Sequence, residues 1–227
     1  MLSGILAGVV AYGFAKIFGE PWLEQAILFG NAICLAAGKE LEPEIFSRSV
    51  QAGIGLLTGV VVYGAALGGL FALAFAFAYG RLGRLGPRGI AALLAGAGFV
   101  VMALVPALKY PANPPSIGEA ETIGARTALF FGMILISIIA MIIAIMVARS
   151  LAARLQIWNA VLAGVACFIA LVGFAAFILP SAEAIPDHFP AMVLWNFRLA
   201  SLGTQASLWA AIGLMFGLLA QMRSGGR

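Results

Sequence analysis

The sequence predicts an all-α fold, a polytopic transmembrane helix bundle of about six spans with its N- and C-termini in the cytoplasm. Three observations predict it. First, the 227 residues are 63% hydrophobic and 10% charged, with a mean hydropathy of +1.07. Soluble domains are roughly 45–50% apolar and about 25% charged, and one globular core of this size cannot hide the excess, which must face lipid. Second, the apolar residues form continuous runs near 2–18, 50–78, 89–108, 127–148, 158–179 and 199–220, most of them close to the ~20 residues that cross the hydrocarbon layer. A barrel would show alternating segments of about ten residues instead, and backbone in lipid must satisfy its own hydrogen bonds, which helices do. Third, segments with arginine and no acid alternate with segments that hold all the acids. Residues 1–227 are therefore expected to form a single integral membrane domain.

The first run, Leu2–Phe18, is short enough to resemble a signal peptide. No Lys or Arg precedes it and no small-x-small cleavage site stands before Glu20-Pro21, so it is expected to remain as the first span. The segment Glu24–Ala37 is moderately amphipathic and too short to cross. It is expected to be a separate helix at the outer surface, or one that re-enters slightly. The second run carries Gly55-x-x-x-Gly59 and Gly64-x-x-x-Gly68, and the first carries Gly4-x-x-x-Gly8. Small residues one turn apart let helix backbones approach closely, so Gly55, Gly59, Gly64 and Gly68 read as packing residues, with pore lining as the alternative. Pro106, Pro111, Pro114 and Pro115 exclude regular helix after the third run. Val105-Pro106 and Leu179-Pro180 each precede a Pro-rich acidic loop and then an arginine, a faint echo too sparse to establish a repeat. Cys34 and Cys167 are expected to lie apart and to form no disulfide.

Arg81, Arg84 and Arg88 follow the second run, Arg149 and Arg154 the fourth, and Arg223 and Arg227 the last, with no acid among them. All nine acids lie in the alternate segments. Short Lys/Arg-bearing loops stay in the cytoplasm, which places both ends inside and the acidic loops outside. The arginines read as topology anchors and call for no nucleic-acid partner.

No Walker A loop, Rossmann glycine pattern, His-Glu-x-x-His or Gly-x-Ser-x-Gly occurs, so no enzyme is expected. The single histidine excludes the usual multi-histidine zinc site. The remaining ligands sit in the acidic loops. Glu40, Glu42 and Glu44 put three carboxylates in five residues, and Asp187 stands beside the lone imidazole, His188. Oxygen and imidazole donors suit divalent first-row metals, and acidic clusters at a pore mouth concentrate cations; the plainer reading of each is a solvated loop charge. Lys109, Arg126 and Arg198 stand near membrane depth, where ionisable groups have partners or line polar cavities. Gln205, with Ser201, Thr204 and Ser207, marks the last span as the pathway-lining candidate, with interhelical hydrogen bonding as the alternative.

Several strings carry a resemblance: Gly55-Leu56-Leu57-Thr58-Gly59, Ala78 through Gly83, Lys109-Tyr110-Pro111-Ala112-Asn113-Pro114-Pro115, and Phe197-Arg198-Leu199-Ala200-Ser201-Leu202-Gly203. In this order, over nearly the whole chain, they resemble CbtA, a family of predicted cobalt transporter subunits. The resemblance implies a multi-pass protein of the bacterial inner membrane that takes up a divalent cation, cobalt(II) first, for cobalamin metabolism. It implies a small single-span, His-rich companion like CbtB; contact with membrane lipid follows from the apolar runs, and no permanently bound cofactor is expected. A homo-oligomer or larger membrane complex is left open. The family is usually described with five spans against the six counted here. The rival reading is a non-transporting structural component that packs through its glycine faces.

Overall fold

The computed structural model of the chain describes residues 1–38, 45–83, 85–115, 122–181, 185 and 189–224. Among the described residues there is no strand. Six helices are long and apolar enough to cross a membrane: Leu2–Ala36, Arg48–Ala78, Pro87–Lys109, Ile123–Ala152, Ile157–Ile178 and Ala191–Arg223. The all-α bundle expected from hydropathy is the fold observed.

Three of these helices are interrupted by one wide, π-helical turn. Helix α1 (Leu2–Phe14) passes through such a turn at Ala15–Gly19 into α2 (Glu20–Ala36). The short α3 (Arg48–Val50) passes through Gln51–Gly55 into α4 (Leu56–Ala78). Helix α5 (Pro87–Phe99) passes through Val100–Leu104 into α6 (Val105–Lys109). The uninterrupted helices are α7 (Ile123–Ala152), α8 (Ile157–Ile178) and α9 (Ala191–Ser224). Two of the wide turns have a visible cause. Pro21 and Pro106 each follow such a turn closely, in the first positions of the next helix. Proline lacks an N–H, and its ring crowds the carbonyl four residues back. A wide turn just before it moves that carbonyl aside, so the helix continues instead of ending. This revises two expectations. The segment 24–37 continues the helix of the first span as far as Ala36, because Pro21 is absorbed at a helix start, and Pro106, already inside the run at 89–108, sits in regular helix that runs on to Lys109. The remaining wide turn contains no proline but holds Gly53 at φ −101°, ψ −105°.

Helix α9 also begins earlier than the apolar run at 199–220. The Pro190 carbonyl accepts the N–H groups of Val193 at 3.0 Å and Leu194 at 3.2 Å, which starts the helix at Ala191. Asn196 and Arg198 lower the hydropathy there without disfavouring helix. At 34 residues the helix is about 51 Å long, against a hydrocarbon layer of about 30 Å, so its end turns lie outside that layer.

The helices group into two compact units. Unit 1 holds Met1–Phe99, Ala112–Ser116 and Asp187–Arg227, and unit 2 holds Val100–Pro111 and Ile117–Pro186. Within unit 1, α1 packs on both α4 and α9, and α5 packs on α9. The α1–α4 contact is antiparallel and made of glycine. A Cβ on Gly64 would stand 2.5 Å from the Gly4 carbonyl oxygen and 3.1 Å from Gly8 Cα, and one on Gly68 would stand 2.8 Å from Gly4 Cα. Gly55 and Gly59 differ. A Cβ on Gly59 would meet nothing within 4 Å, and one on Gly55 only the Val50 backbone of its own helix. Further along, Phe216 of α9 packs edge-on or tilted against Phe71 and Phe75 of α4, with ring centroids 5.1 and 4.9 Å away, and the Trp209 indole lies against the bare backbone of Gly98.

Within unit 2, α7 packs on α8. A Cβ on Gly164 would come within 2.9 Å of the Ala144 carbonyl oxygen, so this contact too uses a missing side chain. Ser137, fully buried, returns its hydroxyl to the Met133 carbonyl at 2.8 Å. Tyr110, Val105 and Met133 form the buried core, with Phe168 and Val172 of α8 against it. Outward, Ile157 is 76% and Phe177 87% exposed, a cost in water that lipid removes.

Candidate functional site

Unit 1 gathers charges of both signs in one place, where the two wide turns on α1–α2 and α3–α4 face each other. Lys16, Glu20 and Glu24 follow one another at four-residue spacing, so they share one side of the first span. The Lys16 ammonium donates to the Ala52 carbonyl at 3.0 Å, inside the second wide turn. One turn on, the Arg48 guanidinium is in direct contact with the Glu20 carboxylate. Their side chains are 26% and 13% exposed respectively. A carboxylate that buried is costly unless paired, and Arg48 supplies the pair. Gln51 Nε2 donates to the Phe46 carbonyl at 2.8 Å, bridging the residues just before α3 to the wide turn.

The register that builds this cluster is set by the glycines. Gly4 lies against Gly64, Lys16 against Ala52, and Glu20 against Arg48. Each step along α1–α2 is matched by an equal step back along α3–α4. Because both members of the pair contain one wide turn at this level, neither slips against the other.

The cluster borders open space. A groove of about 520 Å³ is lined by Glu20, Arg48, Gln51 and Tyr63, and by Gly55 and Gly59. A second recess of about 380 Å³ beside it is lined by Lys16, Glu20, Glu24, Arg48 and Ser49. Gly55 and Gly59, expected to pack helices, thus line the groove, while Gly64 and Gly68 make the helix contact. Tyr63 is hydrogen-bonded to the side chain of Gln205 on α9. Gln205 Oε1 and Trp209 Nε1 are buried atoms with no hydrogen-bond partner among the described residues.

The polar groups anticipated along the last span divide into two kinds. Thr204 Oγ1 donates to the Ala200 carbonyl at 2.9 Å and Ser207 Oγ to the Gly203 carbonyl at 2.8 Å, so both are satisfied by their own helix. Gln205 and Arg198 reach other segments. Arg198 Nη2 donates to Asn113 Oδ1 at 2.8 Å, which ties the start of α9 to the Pro-rich strap; Pro114 in that strap is fully buried. Lys109 and Arg126 belong to unit 2. Lys109 Nζ lies 5.9 Å from the Tyr110 ring centroid, and the Tyr110 hydroxyl donates to the Pro180 carbonyl at 2.8 Å.

Glu40, Glu42, Glu44, Asp187 and His188 lie outside the described residues. Among the described residues no three His, Cys, Asp or Glu side chains come together as a metal site. Sequence reasoning misses the Lys16–Glu20–Arg48 cluster because it ends the first helix at Gly19-Glu20-Pro21. The four-residue spacing of Lys16, Glu20 and Glu24 is the available signal, and it carries weight only once the helix is continuous.

The family model described as "Probable cobalt transporter subunit (CbtA)" matches residues 1–221. No curated protein and no solved structure matches the chain. With nearly its whole length covered by that family model, the chain belongs to the CbtA family of probable cobalt transporter subunits.

Proposed function

We propose that this chain is the membrane subunit of a bacterial inner-membrane system that takes up cobalt(II), or a divalent cation like it, for cobalamin metabolism. The observation that carries the reading is family membership over residues 1–221. The architecture supports it: six helices long enough to cross a membrane, and charged side chains gathered beside a groove where a lipid-facing scaffold has no use for them. Cobalt is substrate here and no resident cofactor is required. The chain works with a small, His-rich, single-span companion of the CbtB type, which supplies the imidazole donors that this chain, with one histidine, lacks.

In this reading both termini are cytoplasmic, by the positive-inside distribution of the arginines. The acidic loops face outward and collect the cation, Asp187 and His188 as one capture pair and Glu40, Glu42 and Glu44 as another group. Within unit 1, Arg198 and Gln205 line the polar pathway; Lys109 and Arg126 are polar groups of unit 2. The test is cobalt accumulation by cells expressing the chain with and without its companion, normalised to membrane-inserted protein. Accumulation above background that requires this chain supports the reading. The double substitution Asp187→Asn with His188→Gln should lower it at unchanged protein level. Accumulation that is the same with and without the chain would remove the transport function.

A further inference from the structure

We infer that Gln205 and Trp209 hold one internal water molecule inside unit 1. The Trp209 indole N–H donates to the water oxygen, the water donates to the Gln205 amide oxygen, and the Tyr63 hydroxyl is its third partner. The site stands whatever ion is the cargo, and whether or not the chain moves one.

Trp209 is 6% exposed, and its Nε1 is buried with no hydrogen-bond partner among the described residues. Gln205 Oε1 is buried in the same condition. Gln205 stands one helical turn before Trp209 on α9, so both side chains leave the helix on the same side. Buried polar groups are paired in folded proteins, and one left unpaired is destabilising. Here a donor and an acceptor are left over side by side. The polar groups around them offer no relief. Thr204 and Ser207 direct their hydroxyls to the Ala200 and Gly203 carbonyls. Gln205 is hydrogen-bonded to Tyr63, and since Oε1 has no partner, that bond runs from Nε2 to the phenolic oxygen. Turning the amide over would satisfy Oε1 from Tyr63 and strand the Nε2 hydrogens in its place, so the amide is short of a partner in either orientation. The indole is held too. Cζ3, Cη2 and Cε3 of its six-membered ring lie against the bare backbone of Gly98, a contact that swinging Nε1 elsewhere would give up.

The two atoms select the guest. An indole N–H only donates, so a bare metal ion beside it would meet the positive end of a dipole. The amide oxygen only accepts, so an anion is repelled in the same way. A neutral molecule with both a lone pair and a proton suits both, and water is small enough for a buried position. Tyr63 provides the way in. It lines the groove that also holds Glu20 and Arg48, and it reaches from there to Gln205 on α9. Its phenolic hydrogen is not used in the bond from Nε2 and is free to point at the water. The guest then makes about three hydrogen bonds, the usual number for a buried water. Seven residues beyond Trp209, on the same side of α9, Phe216 packs on Phe71 and Phe75, so the polar stretch ends there.

Water-edited solid-state NMR tests this on the full chain, uniformly labelled with heavy nitrogen and reconstituted in liposomes. The experiment reads how soon each N–H receives magnetisation from water. The Trp209 indole signal is the one lost in Trp209→Phe. In the wild-type protein its build-up should lead that of the backbone N–H of Ile212, which is fully buried three residues further along α9. Gln205→Leu should abolish that lead, because the water loses its acceptor. Thr204→Val, beside Gln205 but bonded within its own helix, should keep it. A wild-type Trp209 signal that builds up no faster than Ile212 would mean that no water is bound, and the inference would be wrong. A lead that survives Gln205→Leu overturns it equally, since the amide would then hold nothing. Should Gln205→Leu fail to insert, the wild-type build-up decides alone. Cobalt accumulation in cells is a separate measurement, so this site and the transport reading stand or fall independently.

Discussion

Gly64→Ala should separate α1 from α4, and Gly59→Ala on the same helix should not. The added Cβ at Gly64 would stand 2.5 Å from the Gly4 carbonyl oxygen, 3.1 Å from Gly8 Cα and 3.2 Å from Gly8 N. Comfortable non-bonded contact begins at about 3.5 Å, so the helices must part by about an ångström. All three obstructing atoms are backbone, so no side chain can turn aside to relieve them. Overpacking of this kind costs typically about 1–3 kcal/mol, and the upper part of that range applies where both surfaces are rigid helix. At Gly59 nothing lies within 4 Å of the new methyl. There alanine gains up to about 1 kcal/mol of helix propensity. The two variants should therefore differ by about 3 kcal/mol, a factor of roughly a hundred in the unfolding equilibrium. Steric-trap unfolding in bicelles, with the two tags on α1 and α4, reads that difference. Equal stability of the two variants would refute the argument that the glycine contact, and not glycine spacing as such, holds this pair together.

Tyr110→Phe deletes the hydroxyl that donates to Pro180 and should cost about 1 kcal/mol, read as earlier thermal unfolding of the purified protein; no change would mean that the carbonyl finds another donor without loss. Asn113→Leu removes an acceptor from the Arg198 guanidinium, and bonds to charged groups are worth about 1.5–3 kcal/mol, so membrane-inserted yield should fall, while Asn113→Asp, which keeps the acceptor, should restore it. Reporter fusions ending at Gly86 and at Asn113 should give opposite signals, with Gly86 cytoplasmic; identical signals would overturn the orientation with both ends inside.

Much of this fold is legible in the sequence because burial in lipid leaves a simple record. Runs such as 127–148 and 158–179 are apolar on every side, and α7 and α8 stand where those runs are. The record is one of solvent, not of helix, which is why the ends of helices escape it. Asn196 and Arg198 interrupt an apolar run but not a helix, and Pro21 interrupts neither once a wide turn precedes it. Glycine spacing identifies faces on α4 without telling which is covered: Gly64 and Gly68 have a partner, Gly55 and Gly59 border a groove. That distinction depends on where a second helix crosses. The charge cluster is hidden for the same reason, since Glu20 and Arg48 meet only when the first two spans are set in register. The expected metal donors at 40–44 and 187–188 lie in segments whose sequence offers no periodicity from which placement follows.

The facing wide turns on the first two spans have a consequence for how chain length can vary. A π-helical turn holds about one residue more than the α-helical turn it replaces, and one residue turns a helix by about 100°. That rotation applies to a residue removed from ordinary α-helix, whereas a wide turn takes up its extra residue locally. Removing one residue from Ala15–Gly19 would return that turn to α-geometry and leave Gly4 before it and Glu20 after it facing nearly as they do now. Removing one from Gln51–Gly55 would do the same for Gly64 and Arg48. The two wide turns are thus the places where either span can lose a residue with least disturbance to the glycine contact on one side and the ion pair on the other.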